Sequence, residues 1–492
     1  MQEIKGNIEF HLLLNVSVVF FVTGASYYHL PLNGFKDTLI YLVHLILLQS
    51  SVAGVLFFLS LNKYVFKLLF PFLYIIYGLL GFGIYTMDIS VTSSLLDAVF
   101  QSKIYIIKDF FTVELFNYLT MLLISLVILL NKYNKVDVKK NSTLFSVISV
   151  LLILIFPLIE SRRHNTFKIR QPYSLISSFE EFLEKKEKVF ESVVNGEYNA
   201  DVSGLKVVLI LGETVRADHL QINGYFRETT PNLLNISNCL SYRKMYTNKT
   251  YTAISLPQIL TDESINESSK KKVKSIYSVL NSANVNTSWI GNQLLESSYE
   301  SIVLENDEVN IIDKFKSISS FNKLKDEALL PYFEESLKKG NLNHLITMHM
   351  IGSHWWYEDR YNETERKYTP VIDSKYIPAM SKEQLVNSYD NTIVYLDLFL
   401  DHTIRKLEKI EKPSVMIYIS DHGESLGEEG KWLHAHDGKE LTNPAFIIWY
   451  SNKFKEEYPE KVSFFKSLKD KSLKTDLIYD MLLNVFEIRK SN

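Results

Sequence analysis

The sequence predicts an α-helical membrane unit of five spans, followed by an α/β domain whose mainly parallel sheet is covered by helices on both faces. Three observations carry that prediction. The first 160 residues are mostly apolar and the rest has an ordinary soluble composition, a contrast hidden by a mean hydropathy of zero. From Gly204 onward short apolar runs alternate with helical stretches, the pattern of parallel strands joined by crossover helices. A chain of 492 residues also exceeds what one hydrophobic core supports, so two or three domains are expected. The limits follow as 1–160 for the membrane unit, 161–203 for a connector and 204–492 for the α/β domain.

Five segments are apolar for about 17 to 25 residues, enough to cross a hydrocarbon layer as helices. They lie at Phe10–Tyr28, Leu39–Leu61, Leu68–Met87, Phe116–Leu130 and Leu144–Ile159. The first has neither a basic leader nor a small-residue cleavage site, which argues against a signal peptide. Lys63 and Lys67 follow the second span, and Lys132, Lys135, Lys139 and Lys140 follow the fourth, so those loops are expected in the cytoplasm. An odd number of spans then delivers the C-terminal domain to the outside. Arg162 and Arg163, just after the fifth span, run against that pattern. His44 and Asn117 are the visible polar intramembrane residues, too few for a transport pathway, so the unit is read as an anchor.

In the connector, Leu175, Phe179, Phe182, Val189, Phe190 and Val193 have helical spacing. An amphipathic helix there would lie on a membrane surface or pack on the following domain. Beyond it, KVVLILGE, NTSWIGN, NHLITMHMIG, SVMIYISDHGE and PAFIIWYS read as strands, with helices around 325–339 and 382–407.

Composition also excludes some functions. A net charge of −3 gives no electrostatic reason for a nucleic-acid partner. Cys239 is the one cysteine, so neither an internal disulfide framework nor a multi-cysteine zinc module exists.

In parallel sheets, functional groups collect beyond the carboxyl ends of strands. VVLILGET ends in Glu213, and VMIYISDHGE ends in Asp421 and His422, so two distant segments bring hard oxygen ligands and an imidazole to one edge. That combination suits a divalent metal ion. TNKTYTAISLPQIL adds hydroxyls at Thr247, Thr250, Thr252 and Ser255, which serve either as helix caps or as a metal-activated nucleophile.

GETVRADHLQINGYFRETTPNL, TYTAISLPQIL, HMIGSHWWYEDRY, SYDNTIVYLDLFL and ISDHGESLGEEGKWLHAHD occur in this order behind five spans. Together they resemble the bacterial phosphoethanolamine transferases of the alkaline phosphatase/sulfatase superfamily. The resemblance implies transfer of phosphoethanolamine from phosphatidylethanolamine, in the outer leaflet of the inner membrane, to lipopolysaccharide (core heptose or lipid A) or another envelope acceptor. It implies a Zn2+ ion held by Glu213, Thr250, Asp421 and His422, with Thr250 as the nucleophile that carries the covalent intermediate. His349, His354 and His434 would act near the phosphate, and His434 with His436 could hold a second ion, joined by Asp437. The neighbouring carboxylates Glu424, Glu428 and Glu429 are read as solvated or supporting groups. Asp97, Gln101 and Asn292 correspond to donor-headgroup positions.

The chain also departs from that pattern. Lys249 stands where better-known members have Cys-Gly before the nucleophile, and Cys239 has no partner, so loop rigidity must come from packing. HAHDGKELTNPAFIIWY is closer to the subgroup that modifies the core heptose region, and there Thr252 is an alternative nucleophile to Thr250. A sulfatase proper would need a cysteine in a Cys-x-Pro-Ser-Arg-like context, and Cys239 precedes Leu-Ser-Tyr-Arg instead. A glycerol-phosphate transferase of the lipoteichoic acid type and a catalytically silent envelope receptor are the remaining alternatives.

Overall fold

The computed structural model describes residues 2–490 apart from 31, 33, 88, 90, 93–95, 97–112, 136–141, 164, 186–190, 193, 195, 266–271, 297, 314–322, 340–341, 374–379 and 435–437. The chain divides into two compact units, one over Met1–Glu187 and the other over most of Lys188–Asn492. The connector's helix therefore groups with the apolar unit.

Among the described residues of the first unit, five helices are long and apolar enough to cross a membrane: α1 (Gln2–Val18, continued by a π-turn at Val19–Thr23), α2 (Phe35–Leu61), α3 (Lys63–Met87), α4 (Val113–Tyr133) and α5 (Ser142–Glu160). Several run a few residues past the apolar segments read from the sequence, because backbone hydrogen bonding continues into polar ends such as Lys63 and Tyr133. Phe10, Phe66, Tyr74, Tyr118, Leu122 and Tyr133 form the bundle's interior. Polar side chains there satisfy one another: Ser17 Oγ lies 2.6 Å from Ser125 Oγ, Thr23 donates to Gln49 at 2.8 Å, and Gln49 donates to Asn15 at 2.7 Å. His44 bonds the Tyr27 hydroxyl, whereas Asn117 is exposed on α4. The connector forms α6 (Tyr173–Lys185), with Phe182 buried and Ile176, Phe179 and Leu183 exposed. Val189, Phe190 and Val193 lie outside the described residues.

The second unit is built on a seven-stranded sheet of β1 (Lys206–Gly212), β2 (Cys239–Tyr242), β3 (Asn286–Gly291), β4 (Glu308–Ile311), β5 (His344–His349), β6 (Ser414–Ser420) and β7 (Phe446–Tyr450). The strand order is β2-β7-β6-β1-β5-β3-β4, and only β7 runs against the others. Every residue of β1, β5, β6 and β7 is buried, which is why these strands read as unbroken apolar runs rather than alternating ones. The edge strands β2 and β4 are half-polar and only partly buried, and sequence reading missed both.

Among the helices around the sheet are α7 (Thr252–Leu260), α8 (Leu330–Leu337) and α9 (Lys382–Glu408), of which α7 and α9 reach the site. The start of α9 is fixed by Ser381 and Gln384, each accepting from the other's backbone N–H. Its buried side mixes apolar residues with carboxylates and amides, and the polar ones grip neighbouring chain. Asp397 accepts from the N–H groups of Asn232 and Leu233 at 2.9 Å, Asp390 takes His219 at 2.7 Å and Arg227 at 2.9 Å, and Asn391 accepts from Lys367 N at 3.0 Å. The long loop after β1 is thereby tied down without a covalent bond.

Ile417 is fully buried in the middle of β6, opposite Leu209 of β1 and Ile448 of β7. Ile417→Ala is expected to destabilise the domain by about 3 kcal/mol through lost burial and the cavity left behind. Urea unfolding of parent and variant followed by tryptophan fluorescence checks this, and a difference near zero would contradict the close packing described.

Candidate active site

The site is set by strand register. β1 and β6 are neighbouring parallel strands, with Gly212 opposite Ser420, so the chain leaves both strands at the same level and places Glu213 beside Asp421. Both side chains are buried. The exits are held firmly. Thr214 takes a positive φ of 58°, and Tyr389 OH on α9 donates to Thr214 O at 2.7 Å while accepting from Arg216 N at 2.9 Å. Asp421 Oδ1 accepts from Thr214 N at 3.2 Å and His422 N at 2.8 Å. Arg216 grips Asp218 and Glu428, each at 2.7 Å, joining the two strand exits.

What faces inward defines the chemistry. Glu213 Oε1, Asp421 Oδ2 and His422 Nε2 are buried and have no hydrogen-bond partner outside their own group: Nε2 stands 3.3 Å from each oxygen, and one ligand atom from each residue lies within 4.8 Å of the others. The Nδ1 of His422 is 2.7 Å from Gly423 O; donating there leaves the Nε2 lone pair facing the two carboxylates. Isolated buried polar atoms are costly, so three converging on one point fit a cation between them. Two carboxylates and a neutral imidazole match the charge of a divalent ion.

The same crowding shifts the titration of the metal-free site. Burial pushes Asp421 up to about 7, reinforced by the charge of Glu213. Burial opposes a charge on His422, but Asp421 and Glu213 outweigh it and hold its pKa up at about 10. Burial would likewise raise Glu213, yet its contact with His422 keeps it well below the usual carboxylate range.

The hydroxyl brought to this cluster is that of Thr252, not Thr250. Thr252 Oγ1 donates to Glu213 Oε2 at 2.7 Å and also supports the ionised form of Asp421. Tyr251 is extended (φ −161°, ψ 154°) and Thr252 is the first residue of α7, so the buried helix start carries its hydroxyl into the ligand set. Thr250, the residue expected as ligand and nucleophile, is half-buried, and it is Thr252, the alternative, whose hydroxyl reaches Glu213. A helix N-terminus also favours negative charge on that oxygen.

A second tier of histidines borders the cluster. The ring of His434 lies 4.9 Å from that of His422 and 5.4 Å from that of His354, and His434 Nδ1 is 3.4 Å from buried Glu424. Burial opposes a charge on His434, but Glu424 outweighs it and raises the pKa above the ordinary value. Burial pushes His354 down to about 3, and its Nδ1 lies 2.7 Å from Trp355 O. One histidine thus favours the protonated form and the other the neutral one.

The loop after β5 carries His354 across Glu213. Gly352 is required there: its φ is +52°, and a Cβ would stand 2.8 Å from Glu213 N. Asp326 fastens the loop by accepting from Ile351 N at 2.8 Å, Gly352 N at 3.1 Å and Asn292 Nδ2 at 2.8 Å. Asn292, expected at the donor headgroup, is therefore buried and engaged behind the site. His349, expected near the phosphate, is buried between Trp289 and Tyr299 (centroids 5.2 and 5.8 Å) and bonded to Gln293. Asp97, Gln101, His436 and Asp437 lie outside the described residues. Glu429 is exposed, as a solvated group should be, and sequence reading undervalued Glu424, whose spacing from the DHG turn gives no sign of its burial.

The sequence profile of the sulfatase family matches residues 206–480. The chain belongs to the sulfatase family. Similar members include phosphoethanolamine transferase EptA of Escherichia coli (strain K12), 32% identical over 51% of this chain and 47% of that protein. EptA of Helicobacter pylori is 34% identical over 51% of this chain and 49% of its own. The chain spans about half the length of the curated relatives it matches. Among solved structures, the soluble domain of lipooligosaccharide phosphoethanolamine transferase A from Neisseria meningitidis shares 28% identity, with a TM-score of 0.55 over 62% of this chain and 94% of its own. The integral membrane form of that protein compares over 98% of this chain and 96% of its own, with a TM-score of 0.56 and 23% identity, a likeness of fold.

For this sulfatase-family site, uptake of a divalent ion by metal-free protein must displace the His422 proton and, below about pH 7, the Asp421 proton as well. Affinity is therefore expected to fall as pH falls, by about tenfold per pH unit for each proton displaced. Calorimetry in two buffers of different ionisation enthalpy reads that proton release directly, and affinity constant between about pH 6 and 8 would contradict it. His422→Ala should leave the protein folded and strip it of bound metal, as elemental analysis would record.

Proposed function

We propose that the chain is a phosphoethanolamine transferase of a bacterial inner membrane, using a zinc ion and a phosphothreonine intermediate. The donor is phosphatidylethanolamine and the acceptor a hydroxyl or phosphate of lipopolysaccharide or another envelope molecule. Residues 1–160 anchor the protein, 161–203 connect, and 204–492 form the periplasmic catalytic domain. The observation that carries this reading is the Thr252 hydroxyl at the start of α7, 2.7 Å from Glu213 and beside the three converging ligand atoms. The names of the relatives, phosphoethanolamine transferase EptA and phosphatidylethanolamine transferase Mcr-2, agree with it.

Glu213, Thr252, Asp421 and His422 would hold the ion, which when bound lowers the hydroxyl pKa and neutralises charge on the phosphoryl oxygens. Thr252 Oγ1, its proton released to solvent beforehand, attacks phosphorus while the P–O bond to diacylglycerol breaks in line, and it departs as the same alkoxide when the acceptor displaces it. His434, whose charged form Glu424 favours, is suited to protonate the departing alkoxide. The acceptor then attacks the same phosphorus from the opposite side, surrendering its proton as the Thr252–phosphorus bond breaks. His354, neutral at ordinary pH, is suited to receive that proton.

Incubating the full-length protein with phosphatidylethanolamine, followed by proteolysis and mass spectrometry, is expected to find one phosphoethanolamine on Thr252. Thr252→Ala should remove the adduct and reduce turnover about a thousandfold or more, whereas Thr250→Ala retains both. An adduct that survives Thr252→Ala would sink the assignment. A glycerol-phosphate adduct from phosphatidylglycerol would replace this reading with the lipoteichoic acid type of transfer.

A further inference from the structure

We infer that the turn following α5 binds the headgroup of an anionic glycerophospholipid. Arg162 and Arg163 stand on the side of the bundle where the other short loops carry few cations, so neither orientation nor fold explains them. Both are exposed, and among the described residues neither guanidinium has an ion-pair or hydrogen-bond partner. Arg170 shows the contrast: it donates to Ser26 O at 2.7 Å and lies 5.3 Å from the centre of the Tyr27 ring.

The two arginines rim a recess of about 270 Å³ whose remaining lining is Leu158 and Ile159. Below it, Val147, Leu151, Leu154 and Leu158 are exposed at helical spacing, an apolar stripe along α5 that ends at the cationic rim. Such a surface matches one phospholipid: an acyl chain along the stripe and a phosphate diester in the rim, where guanidinium geometry suits its paired oxygens. The charge balance selects the headgroup. A zwitterionic lipid would also need a carboxylate for its ammonium, but Glu160, the acid in this turn, is buried and accepts from Phe167 N. A headgroup with net negative charge needs only the arginines.

Native mass spectrometry of the full-length protein in detergent, titrated separately with phosphatidylglycerol, phosphatidylethanolamine and lipid A, tests this. For Arg162→Gln/Arg163→Gln the first phosphatidylglycerol is expected to bind about thirtyfold more weakly than to the parent, with phosphatidylethanolamine unaffected. Both side chains are exposed, so an unchanged thermal unfolding temperature checks that the fold is kept. Equal phosphatidylglycerol affinity in parent and variant, parallel loss of both phospholipids, or binding of lipid A in place of phosphatidylglycerol would each overturn the proposal.

Discussion

The sulfatase-family domain is organised around a conflict created by one strand pairing. With Gly212 opposite Ser420, Glu213 and Asp421 leave the sheet side by side and out of water. Two buried carboxylates at such a separation repel, and neither can remain ionised without a compensating positive charge. The surroundings supply part of it: His422 turns its free nitrogen between them, and α7 presents its positive end through Thr252. A divalent ion completes the balance. The remaining architecture then serves to keep the conflict from relaxing. Tyr389 holds Thr214 at positive φ, Arg216 couples the two strand exits, and Asp326 presses the β5 loop over Glu213.

Which parts of this were legible in the sequence follows from how local each determinant is. The buried strands were readable because burial on both faces leaves continuous apolar runs, and the five spans because a face turned to a hydrocarbon layer must be as apolar as one packed in the bundle. Glu213, Asp421 and His422 were readable because strand ends have a known chemical bias. The choice between Thr250 and Thr252 was not, since it depends on where α7 starts, and that is decided by the extended conformation of Tyr251 rather than by any spacing. His349 and Asn292 show a related limit: a histidine or asparagine at the end of an internal strand reads the same in sequence whatever it packs against, here Trp289 and Asp326. The edge strands β2 and β4 escaped because their half-polar composition resembles loop.

The membrane unit follows different rules. Its interior polar groups pair with one another, as in Ser17 with Ser125 and Gln49 with Asn15, and its rings pack closely around Phe66 and Tyr133. That pattern joins helices to each other.

One feature of the domain bears on how it is made. Its long loop after β1 is held by the carboxylates and amides of α9, and its single cysteine is half-buried with a thiol pushed up to about 12, by burial first and by the charge of Asp397. Hydrogen bonds form as the helix docks and require no oxidant. Folding of this domain therefore needs no thiol oxidation, and its shape is indifferent to reductants.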